Sequence, residues 1–283
     1  MDELQDKIRK KKNPLMVGME ENPALLPEKL GSLGTAQGYG QFCRELMEGL
    51  QGLVPAVRLS VGQFALLGPE GLTQLEKTLE YAGQTGYYTA LDLPELPSPW
   101  AAEQWAERIG QSGLCGGVVI SPYLGTDVIR PFMEMSGKRG VDVFVLARTG
   151  NRSAPEVQDL LTGSRLVHSA VADIVSRMGE ELTGKSGYSQ MGIVAGAGAP
   201  DSLRALRDKY RRTFLLVDGV DYPNANIKGS RFAFDTLGHG AVVCAGGGVA
   251  RAWRAGENPD YVAAAVEEAE RLKRNLNRYV TVL

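Results

Sequence analysis

The stretch TFLLVDGV (Thr213–Val220) has the length and composition of a β-strand, and a charged residue, Asp218, follows its apolar run. Seven further apolar runs of strand length recur along the chain, and several are rich in β-branched residues, which favour strands. They are LMVGM (Leu15–Met19), AVRLSV (Ala56–Val61), YYTALDL (Tyr87–Leu93), GGVVIS (Gly116–Ser121), DVFVLAR (Asp142–Arg148), GIVAGA (Gly192–Ala197) and AVVCAG (Ala241–Gly246). The sequence therefore predicts eight strands.

Segments with helical periodicity separate these runs. In Asp260–Tyr279 the apolar residues fall on one stripe, which is typical of an amphipathic helix. Ser98, followed by Pro99, is predicted to cap one helix, and Asp201 to cap another. We expect the helix over Val157–Met178 to break near Gly163, and Asp221–Gly238 has the weakest helical pattern.

Eight strands that alternate with helices predict an α/β fold with a mainly parallel sheet. Eight such units within 283 residues fit a (β/α)8 TIM barrel, whose usual size is about 250 residues. We expect one barrel domain over residues 1–283, with a helical extension at residues 1–13. An open doubly wound sheet is the alternative fold.

Composition excludes several classes of protein. The formal net charge of −2 argues against a nucleic-acid binder with a broad basic surface. Three widely spaced cysteines and two histidines predict neither a disulfide scaffold nor a metal site. No apolar run is long enough to span a membrane, and the charged start of the chain is unlike a secretory signal. We expect a cytoplasmic protein.

In a barrel, ligands bind at the carboxyl ends of the strands, so the residues at these ends are the candidate site. Arg58 and Asp92 are expected to face each other there and are the candidate catalytic residues. The candidate ligand-binding residues are Glu20, Ser60, Tyr123, Thr149, Asn151, Gly196, Gly198, Asp218, Gly247 and Gly248.

Glycines cluster at the ends of the sixth and eighth strands, at Gly196–Gly198 and Gly246–Gly248. Glycine lets backbone amides approach an anion, so these ends are candidates for binding phosphate, although tight turns alone would also explain them. GAG at Gly196–Gly198 does not continue into a dinucleotide fingerprint, because residue 201 is Asp201 and not glycine.

Five motifs, in order, resemble those of the orotidine 5′-phosphate decarboxylase family, specifically its longer bacterial subfamily. The resemblance extends from about Leu15 to Tyr279. The motifs are GMEENPALLP (Gly18–Pro27), VRLSVGQFALLGPEGL (Val57–Leu72), PYLGTD (Pro122–Asp127), RTGNRSAPEVQDL (Arg148–Leu160) and GIVAGAGAPDSLRALR (Gly192–Arg207). The resemblance implies a homodimeric (β/α)8 barrel that acts without a cofactor on a pyrimidine nucleotide monophosphate.

The chain departs from this family at the residues that perform the chemistry. The family's strand-two lysine corresponds to Arg58, and its Asp-x-Lys-x-x-Asp array corresponds to Asp92, Pro94 and Pro97. Only Asp92 is kept, and neither proline nor a permanently protonated arginine can replace the lysine that donates a proton.

The binding residues implied by the resemblance also differ. The ribose-contacting aspartate becomes Glu20, a pyrimidine-contacting serine becomes Gly150, and the phosphate-binding arginine becomes Gly247. The phosphate loop reads DGVDYPNA (Asp218–Ala225), whose Asp218 and Asp221 would repel a phosphate.

Three functions stay open at this point. The first is a decarboxylase-like barrel that is weakly active or inactive and binds another small ligand or a partner. The second is a working decarboxylase that makes uridine monophosphate with a rearranged site. The third is a different barrel enzyme acting on a small carboxylate, with Arg58 as the anion clamp and Asp92 or Glu20 as the base.

Overall fold

A computed structural model, which describes residues 1–255 and 260–283, contains a closed barrel of eight parallel strands. The strand Leu15–Gly18 pairs with Ala56–Ser60 on one side and with Ala241–Ala245 on the other, which closes the sheet. The predicted (β/α)8 barrel is therefore confirmed, and the open-sheet alternative is wrong. The strands are β1 (Leu15–Gly18), β2 (Ala56–Ser60), β3 (Tyr88–Asp92), β4 (Gly117–Ile120), β5 (Asp142–Arg148), β6 (Met191–Gly196), β7 (Leu215–Asp218) and β8 (Ala241–Ala245).

Helices connect the strands. They are α1 (Asp2–Lys11), α2 (Glu28–Gly31), α3 (Thr35–Leu50), α4 (Val61–Ala65), α5 (Gly68–Gln84), α6 (Pro99–Ser112), α7 (Thr126–Arg139), α8 (Pro155–Gln158), α9 (Val167–Met178), α10 (Pro200–Lys209), α11 (Gly247–Ala250), α12 (Ala252–Ala255) and α13 (Tyr261–Asn277).

The predicted helix caps have different outcomes. Ser98 caps α6, because its Oγ accepts a hydrogen bond from the Ala101 amide at 3.2 Å. The prediction for Asp201 is wrong, since Ala199 is the capping residue of α10 and Asp201 lies in the first turn. Pro200 takes the first helical position, where its missing amide hydrogen is not needed, and this moves the cap two residues earlier, to Ala199.

The two segments with weaker helical patterns are irregular. A short antiparallel hairpin, Leu161–Thr162 with Arg165–Leu166, interrupts the helix predicted over Val157–Met178. Gly163 lies in its turn with φ of +66°, a conformation that favours glycine. After β7, Asp221–Gly238 contains a 3₁₀-helix at Gly229–Ala233 and no α-helix. The connection between β7 and β8 is therefore mostly loop.

Side-chain alternation along the strands separates the helix-packed exterior of the barrel from its interior. On β2, Val57 and Leu59 are buried, and Arg58 between them contacts the Cys244 thiol of β8. The strand register places Cys244 beside Asp218 of β7. Alternation thus directs Arg58, Asp218 and Cys244 toward the same interior space.

Helix α1 covers the amino-terminal end of the barrel. Its Leu4 and Ile8 are fully buried. The Oε1 atom of Gln5 accepts a hydrogen bond at 2.9 Å from the amide of Gly240, which immediately precedes β8. No helix in residues 1–255 and 260–283 combines the length and the apolar character needed to cross a membrane.

Candidate functional site

Arg58 lies at the centre of the carboxyl end of the barrel, which we call the mouth. Its Nε is 2.9 Å from both carboxylate oxygens of Asp92, and its Nη1 is 2.6 Å from Oδ1 of Asp218. Arg58 is only 9% exposed to solvent, so both ion pairs are shielded from bulk water. The predicted approach of Arg58 and Asp92 is present in the structure, and Asp218 joins them.

The strand register explains this cluster. Arg58 lies two residues before Ser60 on β2, so the two side chains lie on the same face of the strand. Ser60 pairs directly with Asp92 of β3. Asp218 ends β7 and pairs with Cys244, which lies 4.0 Å from Arg58 Nη1. A long guanidinium on β2 can therefore reach the carboxylates of both β3 and β7.

The electrostatics of the mouth favour a permanent charge on Arg58. Burial lowers the pKa of Arg58, but Asp92 and Asp218 outweigh it and hold the pKa well above its usual range. Burial raises the pKa of Glu20, against the attraction of Arg58, and the charges of Asp218 and Asp92 add to the increase. Glu20 is therefore easier to protonate than an exposed glutamate, whereas Arg58 cannot release a proton.

Asp221, two residues beyond Gly219, closes one side of the mouth. Its Oδ1 accepts a hydrogen bond from the Gly246 amide at 2.8 Å, and its Oδ2 accepts one from the Gly248 amide at 2.7 Å. These amides belong to the glycine-rich segment after β8 that the sequence singled out as a candidate anion site. In the structure a carboxylate of the chain itself occupies them.

Tyr222 packs beside Asp221 against the loop that follows β5. A Cβ added at Gly150 would lie 3.2 Å from its Cε2 atom, so glycine permits a close approach of the ring. Burial, followed by the charges of Asp218 and Glu20, raises the pKa of Tyr222 to about 12. Tyr222 is therefore a neutral aromatic side chain in the mouth.

Thr149 and Asn151 form a separate polar group after β5. The Thr149 hydroxyl donates to Asn151 Oδ1 at 2.6 Å, and the Thr149 amide donates to Gln158 Oε1 at 2.7 Å. Next to them, Arg148 Nη2 is 2.9 Å from Asp159 Oδ2. These contacts fix the shape of the loop, and none of them joins the Arg58 cluster.

The other predicted residues have different surroundings. Ser60 caps α4, with its Oγ 3.4 Å from the Gln63 amide, and Tyr123 is 82% exposed. A Cβ at Gly196 would lie 2.6 Å from Gly150 Cα, and one at Gly198 would lie 2.6 Å from Asn224 Nδ2. Both glycines therefore allow the loops after β5, β6 and β7 to pack closely, which is the turn interpretation of these positions.

The segment after β3 carries no acid that could replace the missing array. Pro94 and Pro97 are exposed, and the buried Leu96 between them anchors the segment. Glu95 is exposed and has no ion pair among the described residues. Among residues 1–255 and 260–283, no three His, Cys, Asp or Glu side chains are placed to hold a metal ion.

Sequence reasoning missed two contributors to the mouth. Tyr222 was not singled out, although it directly follows Asp221 in the loop after β7. Arg251 was also missed, and its guanidinium lies over Gly247, where an added Cβ would be 2.3 Å from Cζ. Its position four residues after Gly247, one helical turn further, was the available signal.

Comparisons with known proteins agree on one family. No protein-family model matches the chain. The orotidine 5′-phosphate decarboxylase of Rhodopirellula baltica is 31% identical over 215 residues, which cover 74% of this chain and 71% of that protein. The enzyme of the same name from Clostridium novyi is 24% identical and covers 98% of both chains. The solved structure of Leishmania donovani OMP decarboxylase superimposes with a TM-score of 0.76 at 23% identity, covering 97% of this chain and 98% of that one, which shows a shared fold.

Proposed function

The chain belongs to the orotidine 5′-phosphate decarboxylase family, and from this we propose that it is a member without efficient decarboxylase activity, whose mouth binds a different small ligand. The observation that carries the proposal is the pairing of Arg58 with both Asp92 and Asp218. This arginine stands where the family resemblance implies a lysine of the catalytic array.

Proton supply is the first argument. Decarboxylation leaves a carbanion, which must receive a proton from a group whose pKa lies near the working pH. Arg58 is held protonated by two carboxylates, and Pro94 has no proton to give. Neither residue at the family's two lysine positions can therefore supply this proton, which supports weak or absent decarboxylation.

Charge is the second argument. Four carboxylates, those of Glu20, Asp92, Asp218 and Asp221, act on the mouth, against two cations, Arg58, which pairs with two of them, and Arg251 beside Gly247. In a poorly hydrated site, like charges a few ångströms apart repel strongly. A phosphate dianion placed there would meet more negative than positive charge, which supports a ligand without a phosphate group.

The contacts of Arg58 also argue against the alternative function, in which Arg58 would clamp a small carboxylate substrate. An arginine clamp binds a carboxylate through two parallel N–H groups. Asp92 and Asp218 already hold Nε and Nη1 of Arg58, so among the described residues only Nη2 lacks a partner. A single free nitrogen cannot form the bidentate pair.

We extend the proposal to assembly, with a second copy of the chain covering the mouth side. Large apolar side chains are exposed in the segments that follow the adjacent strands β2, β3 and β4: Leu66 (87%), Trp100 (69%, in the first turn of α6) and Tyr123 (82%). An exposed apolar patch of this kind is typical of a protein interface. It supports a homodimer whose mouths lie near the interface.

Domain organisation and location complete the proposal. We assign residues 1–283 to one barrel domain with residues 1–13 as its extension. We place the protein in the cytoplasm, which fits its free, buried thiols Cys43, Cys115 and Cys244, since disulfides are rare in that compartment.

A turnover assay tests the proposal. Purified protein is incubated with orotidine 5′-phosphate and carbon dioxide release is measured, with the Clostridium novyi enzyme as the active control. We expect turnover far below about 1 s⁻¹, the lower end of ordinary enzyme rates. Turnover at or above that rate, or rescue of a pyrimidine-requiring host, would instead establish the working decarboxylase.

A matched ligand pair tests the binding part. Uridine and uridine monophosphate differ by the phosphate alone, and a ligand that binds the native state raises Tm. We expect uridine monophosphate to leave Tm unchanged. A saturable increase with uridine monophosphate and none with uridine would contradict the exclusion of phosphate.

A further inference from the structure

The loop after β7 inserts two consecutive side chains into the mouth. Asp221 accepts hydrogen bonds from the amides of Gly246 and Gly248 at 2.8 and 2.7 Å. Tyr222 lies against the backbone of Gly150 on the neighbouring loop. A charged group and an aromatic ring from one loop thus fill space at two separate points of the site.

The glycine triplet after β8 is shaped around charged side chains of the same chain. A Cβ at Gly248 would lie 2.7 Å from Cβ and Oδ2 of Asp221, and one at Gly246 would lie 3.1 Å from Oε2 of Glu20. Arg251 covers Gly247 in the same way. The lack of side chains at these three positions therefore makes room for Glu20, Asp221 and Arg251. It does not leave an empty anion-binding site.

Backbone amides that converge on one carboxylate form an arrangement that binds anions in many proteins. Asp221 is covalently tethered next to these amides, so it competes with dissolved anions at a high effective concentration. An external anion must displace Asp221 before it can use them. The Tyr222 ring, packed on Gly150, holds the same loop from the other side.

We propose that Asp221 and Tyr222 are an internal occupant of the mouth, and that Asp221 is the residue that makes the site reject anionic ligands. The ligand class that fits is then a small molecule that is uncharged at the end facing Gly246 and Gly248. This inference deepens the proposed function and rests on it only for the identification of the mouth as the ligand site.

Replacement of Asp221 by alanine tests the proposal through chemical rescue. Asp221→Ala frees both amides, so acetate and inorganic phosphate should bind and raise Tm saturably. The matched control is Asp201→Ala, which removes an exposed carboxylate from the first turn of α10. Sodium chloride keeps the ionic strength constant.

We expect the half-saturating concentration of at least one of the two anions to be about tenfold lower for Asp221→Ala than for the wild type or Asp201→Ala. A preference for acetate would match the carboxylate that was removed. Equal responses of all three proteins to both anions would overturn the proposal.

A second variant keeps the test decisive if Asp221→Ala does not fold. Asp221→Asn retains one acceptor oxygen and loses the charge. Its Gly246 and Gly248 amide resonances should shift as acetate or phosphate is titrated, while those of the wild type should not. Unmoved resonances in Asp221→Asn, or equal shifts in the wild type, would contradict the proposal. Because no readout involves orotidine 5′-phosphate, failure here is distinguishable from failure of the proposed function.

Discussion

Arg58 and Asp218 are separated by 160 positions in the chain, yet Nη1 of one lies 2.6 Å from Oδ1 of the other inside the barrel. This contact joins β2 to β7, which are not neighbours in the sheet. Together with the Asp92 contact, it makes Arg58 a cross-brace of the mouth as well as its central charge.

Removal of this brace should destabilise the protein. Arg58→Ala leaves Asp92 and Asp218 without their cation, and loss of one partner of a buried ion pair costs about 3–5 kcal/mol. Arg58→Lys keeps the charge but cannot bridge both carboxylates with separate nitrogens, so we expect a smaller loss. Urea unfolding gives the free energies, and an Arg58→Ala variant as stable as the wild type would contradict the bracing role.

Neutralisation of Glu20 should stabilise the protein at neutral pH. Mainly because of burial, the pKa of Glu20 in the folded protein is raised above its ordinary value of 4.5. Below pH 4.5 Glu20 is protonated in both the folded and the unfolded chain and does not disfavour folding. As the pH rises through the folded pKa, Glu20 becomes a buried charge and the folded protein loses stability. Glu20→Gln should therefore have a higher Tm than the wild type at pH 7, and the difference should shrink toward pH 4. Thermal melts across this pH range provide the measurement. A Tm difference between Glu20→Gln and the wild type that grows as the pH falls would contradict the prediction.

Two glycine-to-alanine changes should have opposite effects. A Cβ at Gly196 would lie 2.6 Å from Gly150 Cα, a backbone atom that cannot easily move, so Gly196→Ala should destabilise the barrel. Gly83 lies in the last turn of α5 with nothing within 4 Å of its added Cβ, and Gly83→Ala should stabilise the helix by at most about 0.5–1 kcal/mol, the value for the middle of a helix. Denaturant midpoints compare the two, and equal shifts would show that the close backbone approach at Gly196 is unimportant.

Charge introduced on the mouth side should dissociate the proposed homodimer. Trp100→Glu and Tyr123→Glu place carboxylates in the exposed apolar patch and should produce monomers at micromolar concentration, measured by light scattering after size-exclusion chromatography. Leu237→Glu is the control, because Leu237 is 49% exposed but lies just before β8 at the opposite end of the barrel. A wild type that is already monomeric, or dissociation by Leu237→Glu alone, would refute this interface.

The sequence was sufficient for the barrel because apolar runs and periodicity are local signals. The facing of Arg58 and Asp92 was also predictable, since adjacent strands end at one edge. The bond between Arg58 and Asp218 was not predictable, because it crosses the barrel interior between strands that are not neighbours in the sheet. The position of Asp221 was not predictable either, because it depends on how a loop without helical pattern folds back over the mouth. Asp201 is not the cap because α10 begins at Pro200, which makes Ala199 the capping residue.

The pairing of β1 with β8 and the contact of Gln5 with Gly240 also have a consequence for the order of folding. β1 and α1 are made early, but their partners lie more than 220 positions later, as in Leu15 beside Val243. Contacts this distant in sequence slow folding. During synthesis, one edge of β1 and the part of α1 that contacts Gly240 stay uncovered until nearly the whole chain has emerged, so closure of the barrel is a late event. The nascent chain is then most prone to aggregation just before closure.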